Sequence, residues 1–222
     1  MKLQEKLDKF TDALLKSGAI PDAVVRELMD NIAAQVASGQ ANLALRAGQL
    51  APTFALKDAD GTRFSSAAML RRGPLVVTFY RGVWCPYCNL ELEALESVRK
   101  DIESYGASLV AVSMQNAANS RRSARENHLN FPILVDGGGA VAAQFGLRYE
   151  LPERILELYA QLGNDLKVVN GEDSGSLPMP GLFVIGQDGI VAYAEVNPDY
   201  TKRPDPHDLL PVLEQLERRK VT

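Results

Sequence analysis

Two cysteines, Cys85 and Cys88, are the only thiols of this 222-residue chain, and two residues separate them. The apolar run Pro74–Tyr80 precedes them and predicts a buried strand, and the pattern that follows predicts a long helix. Both sulfurs would then lie in or next to the first helical turn, where unpaired N–H groups and the helix dipole stabilise a thiolate. In such Cys-x-x-Cys sites the thiol pKa falls from about 8.5 to roughly 3.5–7.5. The spacing therefore favours a reactive pair that can close to a disulfide.

The residues beside the pair also suit a reactive site. Pro86 fits the first helical turn, because that position has no hydrogen bond to lose. Trp84 precedes the pair and would shield one side of it, and Tyr87 lies between the two cysteines. These three side chains are therefore candidates for supporting the site.

Two other interpretations of the pair are weaker. Neighbouring cysteines in a helix can be inert buried side chains, but the strand, the tryptophan and the helix around this pair disfavour that. A zinc site needs four protein ligands, or three and a water. The two histidines, His128 and His207, lie far from the pair in sequence, and His207 suits a helix start. We expect neither a metal nor another cofactor.

The composition limits the partners and the compartment. A net charge of −4 with scattered basic residues argues against binding of nucleic acid or of an anionic membrane. The first residues contain no long apolar run, so we expect neither a secretory signal nor a membrane anchor. Two cysteines do not make the disulfide framework of a secreted protein. These features predict a reducing cytoplasmic setting, where a close cysteine pair is catalytic, redox-sensing or metal-binding more often than structural.

The sequence predicts a helical extension over residues 1–47 and a separate domain over residues 48–222. Leucines at helical spacing predict a first helix that stops at Ser17-Gly18, since glycine tolerates the left-handed C-cap. Pro21-Asp22 suits the first turn of a second helix, which ends near Ser38-Gly39. Both helices carry an apolar face, so the hairpin must dock either on its own domain or on a second copy in a homodimer.

Strands and helices alternate after this extension. Asp60-Gly61 and Asp188-Gly189 predict the turns of two β-hairpins. The order β-α-β-α-β-α, followed by a hairpin and a helix, predicts an α/β three-layer sandwich around a mixed central sheet. Val76–Tyr80 and Leu109–Ser113 are the expected parallel neighbours in that sheet. The segment 148–177 begins as a helix and continues as a polar stretch that either covers the site or shapes a substrate groove.

Motifs at both ends of this region resemble one known superfamily. Trp84-Cys85-Pro86-Tyr87-Cys88 after a buried strand, with Pro180 leading into a hairpin, resembles the thioredoxin superfamily, in which a Cys-x-x-Cys helix faces a cis-proline loop. The resemblance implies a thioredoxin-like fold and a cis Met179–Pro180 bond beside the cysteines. The segments APTFALKDADGTRFS, GPLVVTFYRG, FPILVDGGGAVAAQFGL and GLFVIGQDGIV resemble, in order, segments of the peroxiredoxin (AhpC/TSA) family. That resemblance covers about Gly48 to Leu216. Within the family, the chain resembles a subgroup whose members carry Cys-x-x-Cys.

The peroxiredoxin motif is altered in this chain. When its Pro, Thr and peroxidatic Cys are laid on the sequence, they fall on Arg81, Cys85 and Cys88. The position of the family's catalytic Arg, directly before GLFVI, holds Pro180. The usual donors that stabilise charge on the breaking O–O bond are therefore missing. Arg81 is either a replacement cation or a surface residue or ion-pair partner.

Three functions follow from the resemblance and from the pair. The first is an antioxidant thiol peroxidase: Cys88 attacks a peroxide, its sulfenic acid condenses with Cys85, and a thiol reductant such as thioredoxin or glutathione reopens the disulfide. The second is a thiol–disulfide oxidoreductase for protein disulfides, with Cys85 attacking and Cys88 resolving. The third is a redox-inert protein that binds partners through its N-terminal helices. We favour the peroxidase, because most of the matched chain resembles peroxiredoxins.

Overall fold

The N-terminal segment is a helical hairpin, as predicted. The computed structural model describes residues 1–219, so the last three residues of the predicted 48–222 domain lie outside it. Helix α1 spans Leu3–Ser17 and helix α2 spans Asp22–Ala37. Gly18 ends α1 in the left-handed conformation, with φ 63°, which glycine adopts without a steric penalty.

A mixed β-sheet forms the centre of the fold. The strands are β1 Ala55–Asp58, β2 Arg63–Ser65, β3 Leu75–Phe79, β4 Ser108–Ser113, β5 Ile133–Val135, β6 Arg148–Glu150, β7 Ser176–Pro178, β8 Gly181–Ile185 and β9 Val191–Val196. Seven of them form one sheet in the order β2-β1-β5-β4-β3-β8-β9, and β6 pairs with β7. Strand β3 runs parallel to β4 and antiparallel to β8. The parallel central pair that the sequence predicts is therefore confirmed.

Helices cover both faces of this sheet. They are α3 Ser66–Leu70, α4 Pro86–Ser104, α5 Ala117–Glu126, α6 Ala140–Gln144, α7 Glu153–Gln161, α8 Leu166–Asn170 and α9 Leu209–Arg219. Neighbouring residues of β3 point to opposite faces, as in any strand. Val76 packs in the core that contains Leu92 of α4, and Val77 packs in the core that contains Phe145. The predicted α/β three-layer sandwich is confirmed.

The hairpin docks on its own chain. Leu7 of α1 is fully buried in the core that contains α4, and burying a leucine contributes about 1.5–3 kcal/mol. On α2, Leu28 packs in a cluster with Leu158 of α7. Arg154 of α7 donates to both carboxylate oxygens of Glu27, at 2.7 and 2.9 Å. Packing on the same chain, one of the two predicted alternatives, is therefore observed, and a dimer contact stays a prediction.

The segment 148–177 has more regular structure than its polar sequence predicts. Helix α7 lies in the part predicted to be helical, whereas helix α8 and the β6–β7 ribbon were not predicted. The two strands of that ribbon have three residues each, and α8 has five. Such short elements carry no readable periodicity. The ribbon returns the chain from α7 and α8 to the start of β8.

Candidate active site

Strand β3 and helix α4 hold the cysteine pair at their junction. Cys85 is the N-cap residue of α4, Pro86 is its first residue, and Cys88 completes the first turn. The first helical bond runs from Asn89 N–H to the carbonyl oxygen of Cys85, at 3.1 Å. Both sulfurs therefore lie at the helix N-terminus, where the dipole favours negative charge. This placement matches the sequence prediction for the pair.

Hydrogen bonds and a glycine fix the loop before the pair. The Val83 N–H donates to Gln115 Oε1 at 2.9 Å, and Asn89 Nδ2 donates to the Val83 carbonyl oxygen at 2.7 Å. Gly82 has φ 147°, a value that favours glycine. A Cβ on Gly82 would also come within 2.6 Å of Trp84 Nε1. The loop thus holds the Trp84 ring close to the backbone.

The two thiols are buried and electrostatically unequal. Both are free cysteines, Cys85 with 1% and Cys88 with 0% of its surface exposed. Burial acts to raise the pKa of Cys85, but the hydrogen bond with Cys88 and the charges of Arg81 and Arg203 outweigh it and lower that pKa to about 5. Burial and the neighbouring Cys85 raise the pKa of Cys88. Cys85 is therefore the thiolate of the pair, and Cys88 keeps its proton.

Arg81 lies beside Cys85 in an aromatic cage. It is buried, with 1% of its surface exposed, so it is not a surface residue. Its Nη1 lies 3.7 Å from Cys85 Sγ, and its Nη2 donates to the Tyr159 hydroxyl. The guanidinium carbon lies 3.9 Å from the Tyr200 ring centroid and 4.7 Å from that of Trp84, distances typical of cation–π contacts. Among the ion pairs of residues 1–219, none joins Arg81 to a carboxylate.

A buried ion pair faces Cys88, and the sequence analysis missed it. Arg203 Nε donates to Glu91 Oε2 at 2.6 Å, and Arg203 Nη2 lies 3.6 Å from Cys88 Sγ. Both charged side chains are about 2% exposed. Burial raises the pKa of Glu91, and Arg203 opposes that shift. Glu91 had a readable signal, since it follows Cys88 by three residues and so shares its buried helix face. Arg203 lies in an irregular loop without any such pattern.

A cavity of about 320 Å³ lies over the pair. Of the two cysteines, Cys85 lines it, together with Arg81, Trp84, Pro86 and Tyr87. The other walls come from the N-terminal hairpin, α7 and Tyr200. The predicted supporting residues before and between the cysteines therefore converge on one cavity.

Tyr87 joins this site to the N-terminal hairpin. Its hydroxyl and Thr11 Oγ1 share a hydrogen bond of 2.9 Å. Its ring packs edge-on against Phe10, with centroids 5.3 Å apart, and lies 5.8 Å from the ring of Tyr200. Because Thr11 and Phe10 belong to α1, the hairpin is attached directly to the helix turn that carries the cysteines.

The proline loop differs from the expectation. The Met179–Pro180 bond is trans, and residues 1–219 contain no cis peptide bond, so the predicted cis bond is wrong. The Met179 N–H donates to the Leu147 carbonyl oxygen at 2.8 Å, and β8 begins two residues later, at Gly181. The Met179 side chain packs in the core on the face of the sheet opposite the cysteines. Pro180 directly precedes Gly181, which pairs with Phe79 at the end of β3.

The histidines lie apart from the pair. His207 follows the N-cap Asp205 of a 3₁₀ turn, and its Nδ1 lies 2.8 Å from that carboxylate. His128 is the one non-glycine residue with positive φ in the described chain. Within the part of the chain that the structure describes, no three His, Cys, Asp or Glu side chains converge as metal ligands.

The fold and the buried dithiol define a thioredoxin-like redox protein. Residues 47–194 match the AhpC/TSA family, and the chain belongs to that family. Peroxiredoxin Q of Oryza sativa subsp. japonica, a chloroplastic protein, is 26% identical over 146 residues, which cover 66% of this chain and 57% of that one. The N-terminal hairpin lies outside the family match.

Solved structures show the same fold. Peroxidoxin BcpB from Mycobacterium tuberculosis superposes with a TM-score of 0.60 at 23% identity, covering 77% of this chain and 97% of its own. Peroxiredoxin Q from Xanthomonas campestris gives a TM-score of 0.54 at 19% identity, covering 74% of this chain and 90% of its own. Among the described residues, no helix is long and apolar enough to cross a membrane.

Proposed function

We propose that this protein is an antioxidant thiol peroxidase that reduces hydrogen peroxide or organic hydroperoxides through a Cys85/Cys88 dithiol–disulfide cycle. The observation that carries the proposal is the Cys85 thiol, which lines a cavity and has a pKa of about 5 beside Arg81. Membership of the AhpC/TSA family supports the same conclusion. A thiolate is the nucleophile that peroxide reduction requires.

The first step consumes the peroxide. The Cys85 thiolate attacks one peroxide oxygen, the S–O bond forms, and the O–O bond breaks as sulfur gives up two electrons. The leaving oxygen takes a proton and departs as water or an alcohol, and Cys85 becomes a sulfenic acid. Arg81 lies 3.7 Å from the attacking sulfur and is placed to stabilise the negative charge that moves onto the leaving oxygen. It thus replaces donors that the altered motif lacks.

The second step closes the disulfide. Cys88 attacks the Cys85 sulfenic sulfur, the S–S bond forms, and hydroxide leaves with a proton as water. Two thiol equivalents from a reductant such as thioredoxin or glutathione then reduce the disulfide by exchange. The motif alignment puts the first attack on Cys88 instead. We assign it to Cys85, because Cys85 lines the cavity whereas Cys88 faces the ion pair of Arg203 and Glu91.

Single-turnover kinetics test this assignment. Cys88→Ser should still consume one equivalent of peroxide and stop as a Cys85 sulfenic acid that dimedone traps, whereas Cys85→Ser should lose the reaction. The reverse pattern would move the attack to Cys88. A wild-type rate equal to that of a free thiol in solution would refute the peroxidase.

A disulfide oxidoreductase is the second candidate. The pair itself favours it, because a low-pKa cysteine at a helix N-terminus followed by a resolving cysteine suits disulfide exchange. Against it, Cys85 is 1% exposed and lies in a cavity walled partly by the hairpin, so a small peroxide reaches the sulfur more readily than a folded protein disulfide does. Reduction of insulin by the wild type, abolished in Cys85→Ser, would support this candidate. Thiols of ordinary pKa that form no disulfide under mild oxidants would instead favour a redox-inert interaction protein.

The remaining features of the proposal concern organisation and setting. We propose a helical extension at 1–47 and a peroxiredoxin-type domain at 48–222, because the family match begins at residue 47. A reducing cytoplasmic compartment would keep both thiols free between turnovers. A homodimer is proposed from the exposed apolar residues Val36 and Leu43 near the end of the hairpin, and light scattering in solution would detect it.

A further inference from the structure

The N-terminal hairpin walls the cysteine site and forms a partly open cavity there, the hairpin chamber. The cavity of about 320 Å³ has Cys85 and Arg81 on one side and the hairpin on the other. The hairpin contributes eight lining residues. Seven are apolar, namely Phe10, Leu14, Leu15, Ile20, Val25, Leu28 and Met29, and the eighth, Thr11, is polar. These residues precede the family match at 47–194, so this wall of the chamber lies outside the part of the chain that the match covers.

The charged residue of the chamber, Arg81, lies next to the sulfur of Cys85. Arg81 is 1% exposed, and among residues 1–219 its Nε has no hydrogen-bond partner. A buried donor without a partner is costly, and a ligand that carries an acceptor oxygen would satisfy it. Away from that end the chamber is lined mainly by apolar and aromatic side chains. The matching ligand has an apolar body and an oxygen-bearing end.

The entrance has the same apolar character. Leu15, Met29 and Leu162 line the cavity and are 47%, 40% and 37% exposed. Large apolar side chains exposed around a cavity are typical of a binding site for an apolar molecule. Water and hydrogen peroxide gain no hydrophobic stabilisation from apolar walls, whereas an alkyl or aryl group that enters the cavity removes apolar surface from water.

We infer that the hairpin chamber binds bulky apolar hydroperoxides and that its residues select these over hydrogen peroxide. The inference rests on the proposed peroxidase function and names the substrate class of that site. The hydroperoxide group lies at the Arg81 and Cys85 end, and the organic group lies between α1 and α2. Reaction with the Cys85 thiolate and a proton gives the Cys85 sulfenic acid and the corresponding alcohol, which leaves through the apolar entrance.

Pocket-filling variants test the selectivity. Val25→Phe narrows the chamber from α2 and Leu14→Phe narrows it from α1, whereas Val168→Phe makes the same valine-to-phenylalanine change at an exposed position of α8 outside the chamber. We expect each chamber variant to lower kcat/KM for cumene hydroperoxide by about tenfold or more and to lower that for hydrogen peroxide by a smaller factor, so that the ratio of the two values falls. Val168→Phe should alter neither value, and a far-ultraviolet circular dichroism spectrum of each of the three variants checks its folding. Equal effects on both peroxides, or none, would overturn the inference.

A binding measurement separates this inference from the proposed function. Trp84 is the only tryptophan of the chain and lines the chamber, so its fluorescence reports occupancy without turnover. Titration with cumyl alcohol, the reaction product, should change the fluorescence of the wild type and should require about tenfold more alcohol in Val25→Phe. A wild type that binds the alcohol but consumes no peroxide refutes the proposed function alone. If the wild type reduces hydrogen peroxide but its fluorescence does not change with the alcohol, the inference that the chamber binds apolar hydroperoxides is refuted.

Discussion

Replacement of Arg81 by methionine tests what holds Cys85 as a thiolate. The substitution removes the guanidinium whose Nη1 lies 3.7 Å from Cys85 Sγ and leaves Arg203 and the helix N-terminus in place. Methionine is long and flexible enough to fill part of the space inside the aromatic cage. The expected result is a higher pKa for Cys85 and a slower reaction with any electrophile at neutral pH.

The geometry sets the size of this effect. Two unit charges 3.7 Å apart attract each other by about 4 kcal/mol at an effective dielectric constant of about 20. Since about 1.4 kcal/mol corresponds to a factor of ten, the acid dissociation constant of Cys85 should fall by about a thousandfold. The wild-type thiol, with a pKa of about 5, is almost wholly ionised at neutral pH. In Arg81→Met most of it should carry a proton.

The rate of alkylation by iodoacetamide against pH measures this change directly. It is recorded in a Cys88→Ser background so that a single thiol reacts. Arg81→Lys is the matched control, because it keeps a cation and should keep most of the reactivity near neutral pH, although it loses the stacking of a planar guanidinium. An Arg81→Met profile that coincides with the parent profile would refute the electrostatic role assigned to Arg81.

Two further predictions concern stability. The free energy of unfolding of the reduced wild type, relative to that of Cys85→Ser, should rise with pH between about 5 and 9.0. The pKa of Cys85 is about 5 in the folded protein and has a reference value of 9.0. Between these two values the unfolded chain binds more protons than the folded one, so raising the pH favours the folded state. Urea titrations of both proteins at several pH values measure the difference between their free energies of unfolding. The added stability of the wild type should be lost as the pH falls through the folded pKa, and a difference that does not change with pH would contradict the prediction. Glu91→Ala should lower the free energy of unfolding by about 3–5 kcal/mol, since it leaves Arg203 buried without its carboxylate. Glu103→Ala, which removes a half-exposed partner of Arg99 on the same helix, should cost less than about 1 kcal/mol, and equal losses would argue against a special role for the buried pair.

Local patterns account for the parts of the structure that the sequence predicted correctly. The hairpin helices end where Gly18 and Ser38 interrupt the apolar spacing. The uninterrupted apolar run of β3 predicted a central strand, since both of its faces are covered. The cysteine pair follows that strand and opens a helix, so its position depends on neighbours within a few residues. These features need no knowledge of distant contacts.

The surroundings of the two sulfurs depend on contacts between distant segments. Arg203 reaches Cys88 across 115 residues, and Tyr159 reaches Arg81 across 78. Neither residue belongs to a motif, so only the fold reveals it. The cis bond before Pro180 was expected from family resemblance alone. It is wrong: the bond is trans, the Met179 N–H pairs with the Leu147 carbonyl oxygen, and the Met179 side chain packs on the far face of the sheet.

The two arginines explain how one buried pair can serve two consecutive steps of the proposed cycle. Attack requires Cys85 charged and Cys88 protonated, and the neighbouring Cys85 thiolate is one cause of the raised pKa of Cys88. Once Cys85 becomes a sulfenic acid, that negative charge is gone, while Arg203 still lies 3.6 Å from Cys88 Sγ. The same cation then favours ionisation of Cys88, the form that attacks the sulfenic sulfur. Oxidation of the first sulfur thereby activates the second without requiring either arginine to move.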